Sequence, residues 1–154
     1  MIQNATFAHT NLIAKDWRSL ARFYIEVFGC SPVPPERDYS GPVFDALTAI
    51  QGARLRGMHL QLPGCGTDGP TLELFEYSPA LTKPEPAVNR QGFGHIAFKV
   101  SDVRVACDEV QHAGGHAIGE IVSLTTSAGA VVTLIYMTDP EDNIIELQHW
   151  EPRS

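Results

Sequence analysis

The chain carries the same arrangement twice. Phe7-x-His9 returns as Phe93-x-His95; Asp16 stands seven residues after the first histidine and Asp102 seven after the second; Gly29 and Gly115 each stand twenty after. Each half closes on a carboxylate flanked by apolar residues, Leu72-Glu73-Leu74-Phe75 and Ile145-Glu146-Leu147-Gln148. Self-similarity at fixed spacing reports duplicated architecture, and a half that cannot hide both faces of its sheet needs a counterpart.

Residues 5–13 alternate as a strand, with Phe7, His9, Asn11 and Ile13 on one face. Asp16 is an N-cap for a helix reaching Phe28, whose apolar stripe is Leu20, Phe23, Tyr24, Val27 and Phe28, and Gly29 ends it. Residues 30–42 hold four prolines and read as a loop. Strands are expected at residues 43–50, 54–62 and 71–77, then a proline-bearing linker at 79–91. The second half restarts with a strand at 92–100, Asp102 as N-cap and a helix at 103–113 with Val103, Ala106, Cys107 and Val110 inward. Strands follow at 117–123, 130–137 and 143–150, the last two joined by the turn sequence Thr138-Asp139-Pro140-Glu141-Asp142. The expected fold is α+β: one domain over 1–154, built of two βαβββ modules (about 5–78 and 92–150) that form a curved mixed-sheet half-barrel with its helices outside.

In each half the histidine lies on the first strand and the carboxylate on the last, opposite the apolar residues that pack under the helix. His9, Glu73, His95 and Glu146 are therefore candidate metal ligands around one cavity. Imidazole with carboxylate suits zinc, nickel, cobalt, manganese or ferrous iron, and two carboxylates balance a divalent charge. Phe7, Asn11, Phe75, Phe93 and Ile144 share the cavity-facing parity and are candidate substrate contacts. His59, His112, His116 and His149 read as surface or edge positions, and Glu76 has the wrong parity to join Glu73.

A net charge of -7 argues against nucleic-acid or anionic-membrane partners and leaves a small molecule. No apolar run approaches the roughly 20 residues that span a bilayer, and the N-terminus lacks a signal-peptide pattern, so a cytoplasmic protein is expected. Cys30, Cys65 and Cys107 have no C-x-x-C spacing and read as free thiols.

The motifs F-A-H-T-N-L-I-A-K-D at 7–16, L-E-L-F-E-Y at 72–77, G-H-I-A-F-K-V-S-D at 94–102 and D-P-E-D-N-I-I-E-L at 139–147 resemble the vicinal oxygen chelate superfamily. That group includes glyoxalase I, methylmalonyl-CoA epimerase, fosfomycin-resistance enzymes, extradiol dioxygenases and bleomycin-binding proteins. The resemblance implies two βαβββ modules, a homodimer and, in the glyoxalase I-like branch, a ligand set falling on His9, Glu73, His95 and Glu146. It places modules of one metal site in different chains, with same-chain pairing equally open.

The implied activity is a divalent-metal-dependent lyase or isomerase that moves a proton next to a carbonyl through a metal-bound enediolate. Glu146 is the implied base and Glu73 a ligand or second base. The arginine and asparagine with which glyoxalase I grips glutathione are replaced here by Ile13 and Tyr77, which points away from a glutathione adduct. Arg37, Arg54, Arg56 and Lys99 remain as possible anchors. An epimerase of that superfamily needs an extra acid in the middle strands, where only Asp45 is offered. A ferrous dioxygenase would leave Glu73 as a surplus ligand. The alternative from another class is a protein that sequesters a flat apolar compound without chemistry.

Overall fold

The computed structural model describes residues 2–152. The chain falls into two compact units, Met1–Thr82 and Lys83–Ser154, and the change from one to the other lies within the proline-bearing linker.

In the first unit β1 (His9–Ile13) leads into α1 (Trp17–Phe28), β2 (Ser31–Ser40), α2 (Pro42–Thr48), β3 (Arg54–Gln61) and β4 (Thr71–Ser78). Asp16 caps α1 by accepting from the N–H groups of Arg18 and Ser19 at 3.0 and 3.1 Å; these bonds favour its ionised form and hold its carboxyl below the usual range. Gly29 closes the helix in the left-handed region at φ 70. The sheet runs β1-β4-β3-β2, with β1 parallel to β4 and the other pairs antiparallel. α1 lies on β3 and β4, where Leu20, Tyr24, Leu60, Leu72 and Leu74 are almost wholly buried. The opposite face is left for Glu73, Phe75 and Tyr77.

The second unit repeats the plan: β5 (Ile96–Lys99), α3 (Val103–His112), β6 (His116–Ala117), β7 (Val122–Thr125), β8 (Val131–Thr138) and β9 (Ile144–Trp150). β5 is parallel to β9, β9 antiparallel to β8, and β8 carries both β6 and β7. Asp102 caps α3 through the Arg104 and Val105 N–H groups. α3 covers β8 and β9, burying Val103, Cys107, Val110, Met137, Ile145 and Leu147; Ala106, expected inward, is half-buried. Buried Asp139 ties the β8–β9 turn by accepting from the N–H groups of Glu141 and Asn143 at 2.8 and 2.9 Å and from the Asn143 side chain at 2.8 Å.

The structure corrects four expectations. The four-proline stretch is a strand: β2 sits at the sheet edge, where a missing N–H can face outward, and its register shifts between Val33 and Arg37 around Pro34-Pro35. Residues 43–50 form α2 and its end, because Pro42 starts a helix well and so short an apolar run carries no decisive period. Asp45 then accepts from the Gly52 and Ala53 N–H groups at 2.9 and 3.1 Å, fixing the turn into β3. The expected strand at 117–123 is divided between β6 and β7. Both first strands are also shorter than their alternation suggests: pairing of β1 starts opposite Thr71 and that of β5 opposite Ile145, so Phe7, Phe93 and His95 precede the paired residues.

Candidate functional site

In the first unit β1 and β3 flank β4, and their register brings two imidazoles to one carboxylate. Asn11 lies beside Glu73 across the parallel pair, and His59 faces Glu73 across the antiparallel pair. Glu73 is only 8% exposed. His9 Nε2 stands 3.4 Å from its Oε2 and His59 Nε2 3.0 Å from its Oε1, the two rings meeting edge to face at 6.1 Å. On its other side the His59 ring is hydrogen-bonded through Nδ1 to the Thr71 hydroxyl at 3.2 Å. Burial pushes the His59 pKa down; the Glu73 charge opposes that shift, while Arg37 and His9 add to it.

The second unit builds the same figure with one substitution. His95 Nε2 lies 3.3 Å from Glu146 Oε2, and the residue facing Glu146 on the neighbouring strand is Tyr136. The Tyr136 ring is 5.1 Å from that of His95, and its hydroxyl is hydrogen-bonded to Glu146. Burial, and then the Glu146 charge, raise the Tyr136 pKa, so the phenol stays protonated and donates.

The structure thus joins His9 to Glu73 and His95 to Glu146, each within its own unit. It adds His59 and Tyr136, which occupy matching positions opposite the two carboxylates. His59, a surface or edge position by its sequence, is half-buried and in contact with Glu73. The signal for both was present: folding each hairpin about the middle of its loop, at Gly66 or Glu141, sets 59 against 73 and 136 against 146. Among the described residues, no group of three or more His, Cys, Asp or Glu is gathered to hold a metal ion.

Of the candidate substrate contacts, Phe7 and Phe93 are largely exposed, Asn11 is exposed on β1, and Ile144 is half-buried at the start of β9. Phe75 shares the Glu73 face but is buried with Phe44, Ala53 and Leu55, its ring edge-on to His59 at 5.7 Å. Tyr77 stacks on Phe44 at 6.1 Å, and Ile13 is open to solvent. Arg54 and Arg56 are engaged with Asp38 and Glu76 at 2.6 and 2.5 Å, and the latter pair confirms that Glu76 points away from Glu73. Cys30 and Cys107 are buried and Cys65 exposed, all three free. No described helix is long and apolar enough to cross a membrane.

A family model described as Glyoxalase/Bleomycin resistance protein/Dioxygenase superfamily matches residues 6–147. A protein of Vibrio parahaemolyticus described as a probable lactoylglutathione lyase is 26% identical over 146 residues, covering 95% of this chain and 91% of that one. Among solved structures, a glyoxalase family protein from Bacillus cereus superposes with a TM-score of 0.74 at 17% identity, covering 99% of this chain and 97% of the other. A glyoxalase/bleomycin resistance protein/dioxygenase domain from Frankia sp. EAN1pec gives 0.62 at 16% identity, covering 96% and 98%. At such identities these structures establish a shared fold.

Proposed function

Since the chain belongs to the glyoxalase/bleomycin resistance protein/dioxygenase superfamily, we propose that it is a divalent-metal-dependent lyase or isomerase that moves a proton at a carbon next to a carbonyl. The observation that carries this reading is the repeated His–carboxylate pair, 3.4 Å apart in one unit and 3.3 Å in the other. Each pair sets an imidazole nitrogen beside a carboxylate oxygen, a donor combination that would suit a divalent ion. His9 with Glu73, and His95 with Glu146, would each supply one imidazole and one carboxylate to an ion. Zinc, nickel, cobalt and manganese all suit these donors. When bound, the ion would draw electron density from the substrate carbonyl and acidify the neighbouring C–H.

The protein groups divide the remaining work. Both oxygens of Glu73 face an imidazole, which suits it to a fixed, ligating role. Glu146 meets one imidazole and the Tyr136 hydroxyl, and we assign it as the base that takes the proton and returns it to the adjacent carbon. Tyr136 donates to Glu146 and steadies it between those steps. Exposed Ile13 and the packed Tyr77 supply no cation for a glutathione carboxylate, so the substrate is proposed to be a smaller compound, handled by a homodimer.

Metal content and isotope exchange test the reading. Purified protein, dialysed against zinc, nickel or manganese, should retain close to one metal per chain, and Glu146→Gln should abolish solvent-deuterium incorporation into α-hydroxy or α-keto thioesters. Less than about a tenth of a metal per chain, or no exchange across a broad panel, would end it and favour sequestration of an apolar compound instead.

A further inference from the structure

The inner face of the first unit continues beyond Glu73 and His59. Arg37 pairs with Gly57 in the β2–β3 register, and Gly57 with Phe75 in the β3–β4 register. Arg37 therefore lies one row along from His59 and Glu73 on their face of the sheet. It is half-buried, and its guanidinium is near enough to His59 to act on it electrostatically. Arg18, Arg54 and Arg56 each pair with a carboxylate. Arg37 instead donates to the main-chain carbonyl of Pro35, and among the described residues it forms no carboxylate pair. A guanidinium so placed keeps most of its fork free for an incoming oxyanion.

Two residues further along β2, on the same side, Tyr39 begins an open groove of about 410 Å³ whose walls are Tyr39, Ser40, Val43, Phe44 and Leu47. Val43 and Leu47 are exposed at 86% and 79% although apolar. The groove floor is continuous with the site: Phe44 packs with Phe75, and Phe75 touches His59. A cation thus stands between a carboxylate–imidazole cluster and an apolar trough of ligand size.

We propose that the first unit recognises an organic acid with an aryl or alkyl body, its carboxylate held by Arg37 and its apolar part lying in the α2 groove. This rests on the function proposed above and names its substrate class. Charge complementarity selects the occupant: a neutral apolar compound would leave Arg37 unused, and an acid without an apolar body would leave Val43 and Leu47 in water.

The test reads binding without turnover. Benzoylformate has no proton next to its carbonyl and cannot react by the proposed chemistry; its methyl ester has the same shape without the charge. By titration calorimetry on the purified protein, the acid is expected to bind about tenfold more tightly than the ester. Arg37→Gln should erase that preference and leave ester binding within about twofold, whereas Leu47→Asp, at an exposed position, should weaken both. Equal binding of acid and ester by the unaltered protein, no saturation by either, or a preference that survives Arg37→Gln, as coordination of the acid by a metal would give, each overturns the proposal. Loss of deuterium exchange with the acid preference intact overturns the catalytic reading alone.

Discussion

Gly57→Ala offers a direct test of the packing that holds Phe75 against His59. A Cβ added at Gly57 would stand 2.0 Å from the Leu74 carbonyl oxygen, 2.4 Å from Phe75 Cδ1 and 2.9 Å from Phe75 Cα. Two of these three neighbours are main-chain atoms of the paired strand β4, so no side-chain rotation relieves the contact. An ordinary carbon–oxygen approach needs about 3.3 Å or more, which requires β3 and β4 to part by more than about 1 Å at the pair Gly57–Phe75. Overpacking of a filled interior costs about 1–3 kcal/mol. A main-chain obstacle puts this case at the upper end, and a weakened ladder hydrogen bond adds about 1 kcal/mol. We expect a loss of about 3–4 kcal/mol, a fall in melting temperature of about 6–16 °C and a urea midpoint lower by about 1–2 M. Gly119→Ala is the control, since nothing lies within 4 Å of its added Cβ, and it should change stability by less than about 0.5 kcal/mol. Circular dichroism with heat and urea measures both. If Gly57→Ala is as stable as the control, the close approach of β4 to β3 at the site is wrong, and with it the seating of Phe75 beside His59.

His59 should make the metal-free protein more sensitive to acid. Its pKa is lowered on folding from 6.5, so the unfolded chain binds the proton more readily, and the stability this contributes is present above about pH 6.5 and lost as pH falls through the folded value. Unfolding free energy followed from about pH 7.5 to 5 should fall more steeply for the unaltered protein than for His59→Gln; parallel curves would refute the assignment. Burial raises the Cys30 thiol to about 11 and raises Cys107 as well, so at about pH 8 a disulfide reagent should titrate exposed Cys65 alone and reach the other two only after unfolding. Fast modification of two or more thiols in the folded protein contradicts that packing. Tyr136→Phe should slow deuterium exchange about five- to tenfold, the worth of one hydrogen bond near 1 kcal/mol, with metal content unchanged; an unaltered rate removes Tyr136 from the mechanism.

Much of this protein is written locally. Asp16 and Asp102 cap helices because a carboxylate reaches only the next few N–H groups, and Gly29 ends α1 because that turn needs φ of 70. Strand alternation alone separated Leu72 and Leu74, under α1, from Glu73 on the other face, and the repeat tied His9 to Glu73 and His95 to Glu146. Tertiary structure decided what depended on pairing. Which residue faces each carboxylate is a matter of cross-strand register: the loop centres at Gly66 and Glu141 point to His59 and Tyr136, and the pairing of β3 with β4 and of β8 with β9 fixes them there. The prolines of β2 form a strand because that strand is at an edge, and no count of prolines reports an edge. The run Val43-Phe44-Asp45-Ala46-Leu47 became a helix because Asp45 could tie its end to Gly52 and Ala53 and Phe44 could reach Phe75 and Tyr77. Phe75 and Tyr77 are distant from Phe44 in the chain. Periodicity records which side of a residue is wet; the neighbours on the dry side are fixed only when the strands are laid together.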